Sequence, residues 1–206
     1  MGFHKSLNFV RTIGKKYVSL KQRSRVWGLK VCYILIKKKD GSYFMLKIRN
    51  ARIEDLPQLA VIEQLCFSKE EAATRGAFEQ RIRLIPDTFY VIEEDSKIAG
   101  LINGPVIETA FITDDLFNNI KKNPPSGGHQ SILGLAVHPH FQKRGLASKL
   151  LMHLERESSK NHRETITLTC KENLIGFYES HGYLNYGISG SEHGGEIWYN
   201  MCKKLD

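Results

Sequence analysis

Hydrophobic and polar residues alternate along the chain with two different periods from residue 45 onward. Met45–Arg49 alternates at every second position, which is typical of a strand with one exposed face. Ile53–Cys66 instead carries apolar residues three and four positions apart, as an amphipathic helix does. Both periods recur toward the C-terminus, so we expect an α/β domain that mixes strands and helices.

The pattern predicts the order β-α-α-β-β-β-α-β-α-β-β. The predicted strands are Met45–Arg49, Thr88–Glu93, Ile98–Val106, Gln130–Val137, Thr165–Cys170, Tyr183–Ile188 and Glu196–Met201. The predicted helices are Ile53–Cys66, Lys69–Leu84, Gly145–Ser158 and Leu174–Glu179. Ser68, followed by Glu71, fits a capping box at the start of the second helix. Residues 107–128 form a long loop, which in a compact domain is usually functional or mobile.

Charge divides the chain near residue 45. Residues 1–44 hold 11 lysines and arginines and one acid, whereas the other 162 residues hold 19 basic and 21 acidic side chains. We therefore expect a basic extension at 1–44, disordered or not native, and a folded domain at 45–206. Three interpretations of the extension stay open: translated sequence ahead of a start at Met45, a poorly packed basic tail, or an organelle-targeting segment.

Composition narrows the classes of molecule that we expect the protein to bind. The near-neutral body gives no general electrostatic case for nucleic-acid binding, and no apolar run reaches the ~20 residues of a membrane helix. The cysteines are Cys32, Cys66, Cys170 and Cys202. Their wide spacing matches neither a zinc site nor a disulfide framework. We expect reduced thiols, no bound metal and a cytoplasmic location.

The segment from Leu133 to Ala147 carries the strongest chemical signal. An apolar strand stops at Pro139, and a short loop rich in polar residues leads into a helix. Such a turn points free backbone N–H groups outward, and the helix dipole adds partial positive charge, so the turn suits a diphosphate. Gly145 allows close backbone approach. A plain turn with a solvated basic loop is the alternative.

Two motifs give this region a family resemblance. Gln142-Lys-Arg-Gly-Leu-Ala147 resembles the Q/R-x-x-G-x-G/A pyrophosphate motif of GNAT acetyltransferases. About 30 residues later, Asn173-Leu-Ile-Gly-Phe-Tyr-Glu-Ser-His-Gly-Tyr183 resembles their A-x-x-F-Y-x-x-x-G-F segment. Their order and separation match as well. The resemblance covers roughly residues 46–205 and implies the GNAT acyl-CoA N-acyltransferase fold, a mixed sheet of about seven strands with flanking helices.

Three further segments resemble the arylalkylamine (serotonin) N-acetyltransferases within that family. They are IRNARIEDLPQLAVIEQLCFSKEEAA, LGLAVHPHFQKRGLASKLL and SEHGGEIWYNM. Vertebrate members carry a histidine pair on the central strand that is thought to relay the substrate proton. The matching positions here are Ser131 and Leu133, so that relay does not carry over.

The resemblance implies acetyl-CoA as co-substrate and a set of residues that holds it. The resemblance implies that the backbone of 144–147 binds the diphosphate, with Lys143 and Arg144 adding charge at the rim. It also implies that the strand edge at 135–137 binds the pantetheine arm. The implied cofactor-binding residues are Leu135, Ala136, Val137, Gln142, Lys143, Arg144, Gly145, Leu146, Ala147, Asn173 and Phe177.

The resemblance also implies two catalytic groups. Tyr178 is the expected general acid, because a phenol stays protonated at neutral pH and can protonate a departing thiolate. The N–H of Leu135, exposed by a bulge in the central strand, is the expected oxyanion donor. The general base stays open among Glu71, His129, His193 and a chain of waters.

The expected substrate is a small primary amine. Glu71, Phe78 and Trp198 are the expected contacts, with Glu70, Phe111, Phe117 and Tyr199 as further ones. A carboxylate beside aromatic rings suits a cationic amine. Alternatives are a protein or peptide amine, an acyl-CoA-binding regulatory module, and nucleic-acid binding through residues 1–44. Similar proteins often form dimers, so a homodimer is also an open alternative.

Overall fold

The structure is a computed structural model and describes residues 43–117 and 119–206, with three short strands ahead of them. The strands are β1 (Asn8–Phe9), β2 (Leu20–Lys21), β3 (Cys32–Lys37), β4 (Tyr43–Asn50), β5 (Phe89–Glu94), β6 (Lys97–Asn103), β7 (Val106–Ile107), β8 (His129–Ile132), β9 (Gly134–Val137), β10 (Thr165–Cys170), β11 (Leu184–Ile188) and β12 (Tyr199–Lys204). The helices are α1 (Leu56–Cys66), α2 (Arg75–Leu84), α3 (Leu146–Lys160) and α4 (Ile175–Glu179). None of these helices is long and apolar enough to cross a bilayer.

Ten of the strands form two five-stranded sheets that share two stretches of chain, and β1 pairs with β2 in a separate two-stranded sheet. β6 continues into β7, and β8 continues into β9, so each stretch takes part in both sheets. The combined order is β3, β4, β5, β6 with β7, β9 with β8, β10, β12 and β11. β8 and β10 are parallel, whereas the other neighbours are antiparallel. The predicted α/β fold with a mixed sheet and flanking helices is confirmed.

A hydrophobic core lies on each face of the sheet. Leu150 and Leu154 of α3 pack with Tyr90 and Ile92 on one face. Leu59 of α1 packs on the other face of the sheet, in the same cluster as Val91, the β5 residue between Tyr90 and Ile92. Successive residues of β5 thus enter opposite cores, which is why this strand reads as a continuous apolar run.

The strand made of β8 and β9 is interrupted by a bulge. Across the neighbouring strand, Asn103 pairs with Gly134 and Val106 pairs with Gln130, which leaves one extra residue on the β8–β9 side. Leu133 donates its backbone N–H to the Asn103 carbonyl at 2.9 Å. β8 pairs with β10, whereas β9 pairs only with β6. The sheet therefore opens into a gap between β9 and the end of β10.

The largest differences from the sequence prediction lie at the start of the second helix and in the N-terminal segment. The second helix begins at Arg75 rather than Lys69, because Thr74 accepts the backbone N–H of Ala77 and caps it there. Ser68 instead starts a turn, so the predicted capping box is wrong. At the other end of the sheet, β3 lies within the predicted extension 1–44 and pairs with β4. Most of the extension lies outside the described residues.

The bulge leaves no room for a side chain at Gly104. A Cβ there would lie 2.1 Å from the Ser131 carbonyl oxygen. We expect Gly104→Ala to lower the free energy of unfolding by roughly 1–3 kcal/mol or more, because the backbone must shift. Gly76→Ala is the matched control, since its Cβ meets Thr74 Oγ1 at an ordinary 3.8 Å. Urea denaturation measures both, and equal midpoints for the two variants would contradict this account of the bulge.

Candidate active site

A cavity lies where the sheet opens between β9 and β10. Its walls are formed by Glu63, Phe67, Glu71, Ile132, Leu133, Gly134, Leu135, Thr169, Cys170, Leu174, Tyr178, His193 and Trp198. Side chains reach it from α1 on one face of the sheet and from α4 on the other. Five of the residues predicted from the sequence therefore line one cavity: Leu135, Glu71, Tyr178, His193 and Trp198.

The loop between β9 and α3 presents backbone N–H groups at the start of a 15-residue helix. Gly145 precedes that helix in the left-handed conformation, with φ of 70°, which a glycine adopts without strain. Lys149 makes the first intrahelical bond, to the Gly145 carbonyl at 3.2 Å. The N–H groups of residues 146–148 therefore have no acceptor within the helix and suit a diphosphate.

Two side chains of this loop act differently from the prediction. Arg144 donates from Nη2 to Glu94 Oε2 at 2.6 Å, and its guanidinium lies over the Phe44 and Phe141 rings. It therefore holds the loop against β5 rather than adding free charge at the rim. Gln142 donates from Nε2 to the Val137 carbonyl at 2.9 Å and secures the end of β9. Lys143 is exposed.

The backbone N–H groups of β9 alternate between facing β6 and facing the gap. His138 donates its N–H to the Ala99 carbonyl across the antiparallel pair, and such bonds recur at every second residue. Ala136 therefore pairs with Leu101, while the N–H groups of Leu135 and Val137 point away from β6. Ala136 is thus a correction to the predicted cofactor set. Its backbone groups face β6, and its side chain lies in the core.

Tyr178 stands on α4 with its ring in the core and one edge at the cavity. It is 6% exposed and packs edge-on against Phe177 and Tyr183. Burial raises its pKa further above that of an ordinary tyrosine, so the phenol keeps its proton throughout the neutral range. No described residue forms a hydrogen bond with its hydroxyl, which is therefore available to a bound molecule.

Several predicted residues do not reach the cavity walls. Phe78 is a fully buried residue of α2 in the core shared with α1 and β5, so its assignment as a substrate contact is wrong. Phe177 packs against Tyr178 and His181. Asn173 is exposed on the short turn before α4. His129 lies at the start of β8, where its Nδ1 is 2.9 Å from Thr165 Oγ1. Because it does not line the cavity, it is removed from the set of candidate bases.

Predicted contacts from the long loop also lie elsewhere. Phe111 is half-buried against the Tyr186 ring, with the ring centroids 5.5 Å apart. The side chain of Phe117 lies outside the described residues. The loop therefore supplies no described wall of the cavity.

Two connecting segments meet over the cavity mouth. Lys171 Nζ lies 2.5 Å from Glu71 Oε1 and 3.2 Å from Glu196 Oε1. His193 Nε2 contacts the Glu71 carbonyl at 3.2 Å, and Trp198 donates its indole N–H to the His193 carbonyl at 2.7 Å. Glu71 is therefore already paired with a cation, contrary to the expectation that it binds a cationic amine directly.

Sequence reasoning missed Glu63, the buried carboxylate of the cavity. It is 4% exposed on α1, and its Oε1 accepts the backbone N–H of Ala73 at 2.9 Å. Burial raises its pKa to about 7, opposed by that hydrogen bond and by the Arg81 charge. A signal was present, because Glu63 follows Leu59 by four positions and so shares the buried stripe of the helix.

Comparison with known sequences places this fold and site in a family. The Acetyltransferase (GNAT) family profile matches residues 53–183. The chain belongs to the GNAT family and is an acetyl-CoA-dependent N-acetyltransferase. Acetyl-CoA is its co-substrate, and the described residues hold no group of three or more His, Cys, Asp or Glu side chains that could bind a metal.

The relatives differ in what their names say they act on. An N-alpha-acetyltransferase of Saccharolobus solfataricus is 28% identical over 177 residues, 83% of this chain and 99% of that protein. The ribosomal-protein-S18-alanine N-acetyltransferase from Escherichia coli superposes with a TM-score of 0.59 at 20% identity, over 79% of this chain and 95% of the other. Naa20 of Chaetomium thermophilum, solved with a bisubstrate analogue, has a TM-score of 0.59 at 23% identity, over 77% and 86%.

The raised pKa of Glu63 has a consequence for stability. The folded state holds this proton up to about pH 7, whereas an unfolded glutamate releases it near its ordinary value, so stability falls as the pH rises through this interval. Glu63→Gln keeps the acceptor for Ala73 and removes the titration. We expect the variant to gain on the order of 2–3 kcal/mol relative to the parent between pH 5 and pH 8. Urea denaturation at both pH values measures it, and a pH-independent difference would contradict the assignment.

Proposed function

We propose that the chain transfers the acetyl group of acetyl-CoA to a primary amine by direct attack, with Tyr178 as general acid. The observation that carries this proposal is that Tyr178 and the free edge of β9 line one cavity. The N-terminus of α3 follows directly from the same strand and presents its free N–H groups.

Binding of the co-substrate uses backbone groups in two places. The N–H groups at the start of α3 take the diphosphate, and the outward edge of β9 pairs with the amide-rich pantetheine arm. The Val137 carbonyl is already held by Gln142 Nε2 and by Cys66 Sγ. The Val137 N–H and the backbone of Leu135 are thus the groups of this edge that remain for the arm.

Transfer requires charge stabilisation at two atoms. The Leu135 N–H, which points into the gap, donates to the thioester carbonyl oxygen as it becomes negative; a donor of this kind is worth roughly 3 kcal/mol. Tyr178 donates its proton to the sulfur as the carbon–sulfur bond breaks. Its raised pKa keeps the phenol protonated before this step and returns the proton to it afterwards.

The acceptor we favour is an α-amino group at the N-terminus of a polypeptide. A relative covered over 99% of its length is named an N-alpha-acetyltransferase. In addition, Glu71, the carboxylate expected to attract a cationic alkylamine, is paired with Lys171.

A small amine is the second candidate, and one observation favours it. The segments over the mouth touch closely, since a Cβ on Gly194 would lie 2.7 Å from Glu71 Cγ. A narrow mouth suits a compact acceptor. The resemblance to arylalkylamine N-acetyltransferases supports the same candidate.

Thiol release from acetyl-CoA by the full-length protein tests the acceptor class. The panel contains short peptides with free N-termini, the same peptides with blocked N-termini, arylalkylamines and polyamines. We expect turnover only with free α-amines. Turnover with arylalkylamines alone would favour the small-amine candidate, and binding of acetyl-CoA without any turnover would favour a regulatory acyl-CoA-binding module.

Tyr178→Phe tests the general acid. We expect kcat to fall at least roughly tenfold, because the thiolate must then leave unprotonated, while the KM for acetyl-CoA changes little. Tyr186→Phe is the matched control, since Tyr186 lies exposed on β11. Unchanged kcat in Tyr178→Phe at every pH would remove the phenol from the mechanism.

A further inference from the structure

Attack on the thioester needs a neutral amine, so a side chain of the cavity or a chain of waters must take a proton from the ammonium form. The titratable side chains of the cavity wall are those of Glu63, Glu71, Cys170, Tyr178 and His193. Tyr178 supplies a proton in the proposed function. Burial raises the pKa of Cys170 to about 11, so its thiol is protonated at neutral pH and has no tendency to act as a base.

Contacts at the mouth disfavour two of the other groups. Glu71 Oε1 is paired with Lys171 at 2.5 Å, so this carboxylate already holds a cation and would have to give it up to approach the substrate ammonium. His193 Nε2 faces the Glu71 carbonyl oxygen at 3.2 Å, and a carbonyl only accepts hydrogen bonds. That nitrogen therefore carries a hydrogen of its own and does not accept one from the substrate.

Glu63 is differently placed. Its Oε1 takes the Ala73 N–H, and its Oε2 is buried with no hydrogen-bond partner among the described residues. A buried carboxylate oxygen without a donor is costly, and an ammonium group in the cavity would supply one. Glu63 reaches the cavity from α1, whereas Tyr178 reaches it from α4 on the opposite face of the sheet.

We propose that Glu63 is the general base, which takes the proton from the acceptor amine while Tyr178 acts at the sulfur from the other side of the gap. This inference rests on the proposed function. In this mechanism the gap between β9 and β10 is the passage through which groups from both faces of the sheet act on one substrate.

The proton balance of the reaction closes with these two groups. The Glu63 carboxylate takes one proton from the ammonium, and the neutral amine forms the carbon–nitrogen bond at the thioester carbon. The carbon–sulfur bond then breaks, and the sulfur leaves with the Tyr178 proton. The new nitrogen gives up its second proton to restore the phenol, and Glu63 releases its proton to solvent. One ammonium and one thioester yield one amide, one thiol and one proton.

The surroundings of Glu63 match this task. Arg81, which is 2% exposed on α2, favours the carboxylate by its charge, while burial opposes it. Cys66 faces it from the same helix, and Glu71, His193, Cys170 and Tyr178 share the cavity. The resulting pKa of about 7 lies close to that of an α-ammonium, about 8, and far below that of an alkylammonium, about 10. The base therefore suits α-amines better than alkylamines.

Glu63→Gln in the full-length protein tests this role, because the amide keeps the shape and the acceptor for Ala73 but cannot take a proton. With a peptide α-amine we expect kcat/KM at pH 7 to fall about 100-fold or more. The acidic limb of the pH profile should move from about pH 7 to the pKa of the α-ammonium itself, about 8, while acetyl-CoA affinity is retained. Glu79→Gln is the matched control, since Glu79 pairs with Arg83 on the exposed face of α2. It should keep both rate and profile.

A second substrate makes the test independent of how well the variant folds. An amine that is already neutral at pH 7 needs no base, so parent and Glu63→Gln should acetylate it at rates within about threefold. An equal loss with both amines, or an unchanged acidic limb in the variant, would overturn the role of Glu63. If the parent protein acetylates no amine at all, the proposed function fails first, and the two failures are thereby distinguished.

Discussion

The bulge at Leu133 is the constraint on which the rest of the site depends. One extra residue on the β8–β9 strand shifts its pairing with β6 and β7, and the neighbouring β10 cannot follow. The backbone is close-packed at this point, since Gly104 lies directly against the Ser131 carbonyl. Without the shift, β9 and β10 would complete their ladder. No strand edge would then be free for a ligand and no passage would cross the sheet.

The gap also accounts for the separation of the proposed acid from the proposed base in a small domain. Helices on opposite faces of a sheet are normally insulated from one another by the strands between them. Here Tyr178 belongs to one core and Glu63 stands on α1, whose Leu59 and Ile62 belong to the other, yet both residues line the same cavity. The protonation of each side chain is set by its own burial, so the proposed acid and base need no contact with each other.

Charge is distributed unevenly around this cavity. Next to α3, Arg144 pairs with Glu94 and packs over aromatic rings. The proposed diphosphate site there therefore consists of backbone N–H groups. At the mouth, Lys171 neutralises Glu71 and Glu196. Glu63 is the carboxylate of the cavity that has no ion-pair partner within 4 Å among the described residues, and this absence of a partner underlies its proposed role as the base.

From residue 45 onward the sequence by itself determined the order of helices and extended segments, the strand Thr165–Cys170 to the residue, the loop before α3 and the family. Each follows from local patterns, because side-chain periodicity and the residues of a turn act within a few positions. Only the tertiary structure decided that Phe78 lies in the core and that Lys171 forms an ion pair with Glu71. It also decided that the backbone N–H of Leu135, rather than that of Ala136, faces the gap. Those outcomes depend on residues far apart in the chain, such as the His138–Ala99 bond that sets the phase of the ladder. No local pattern contains that phase, so it appears only once the strands have paired.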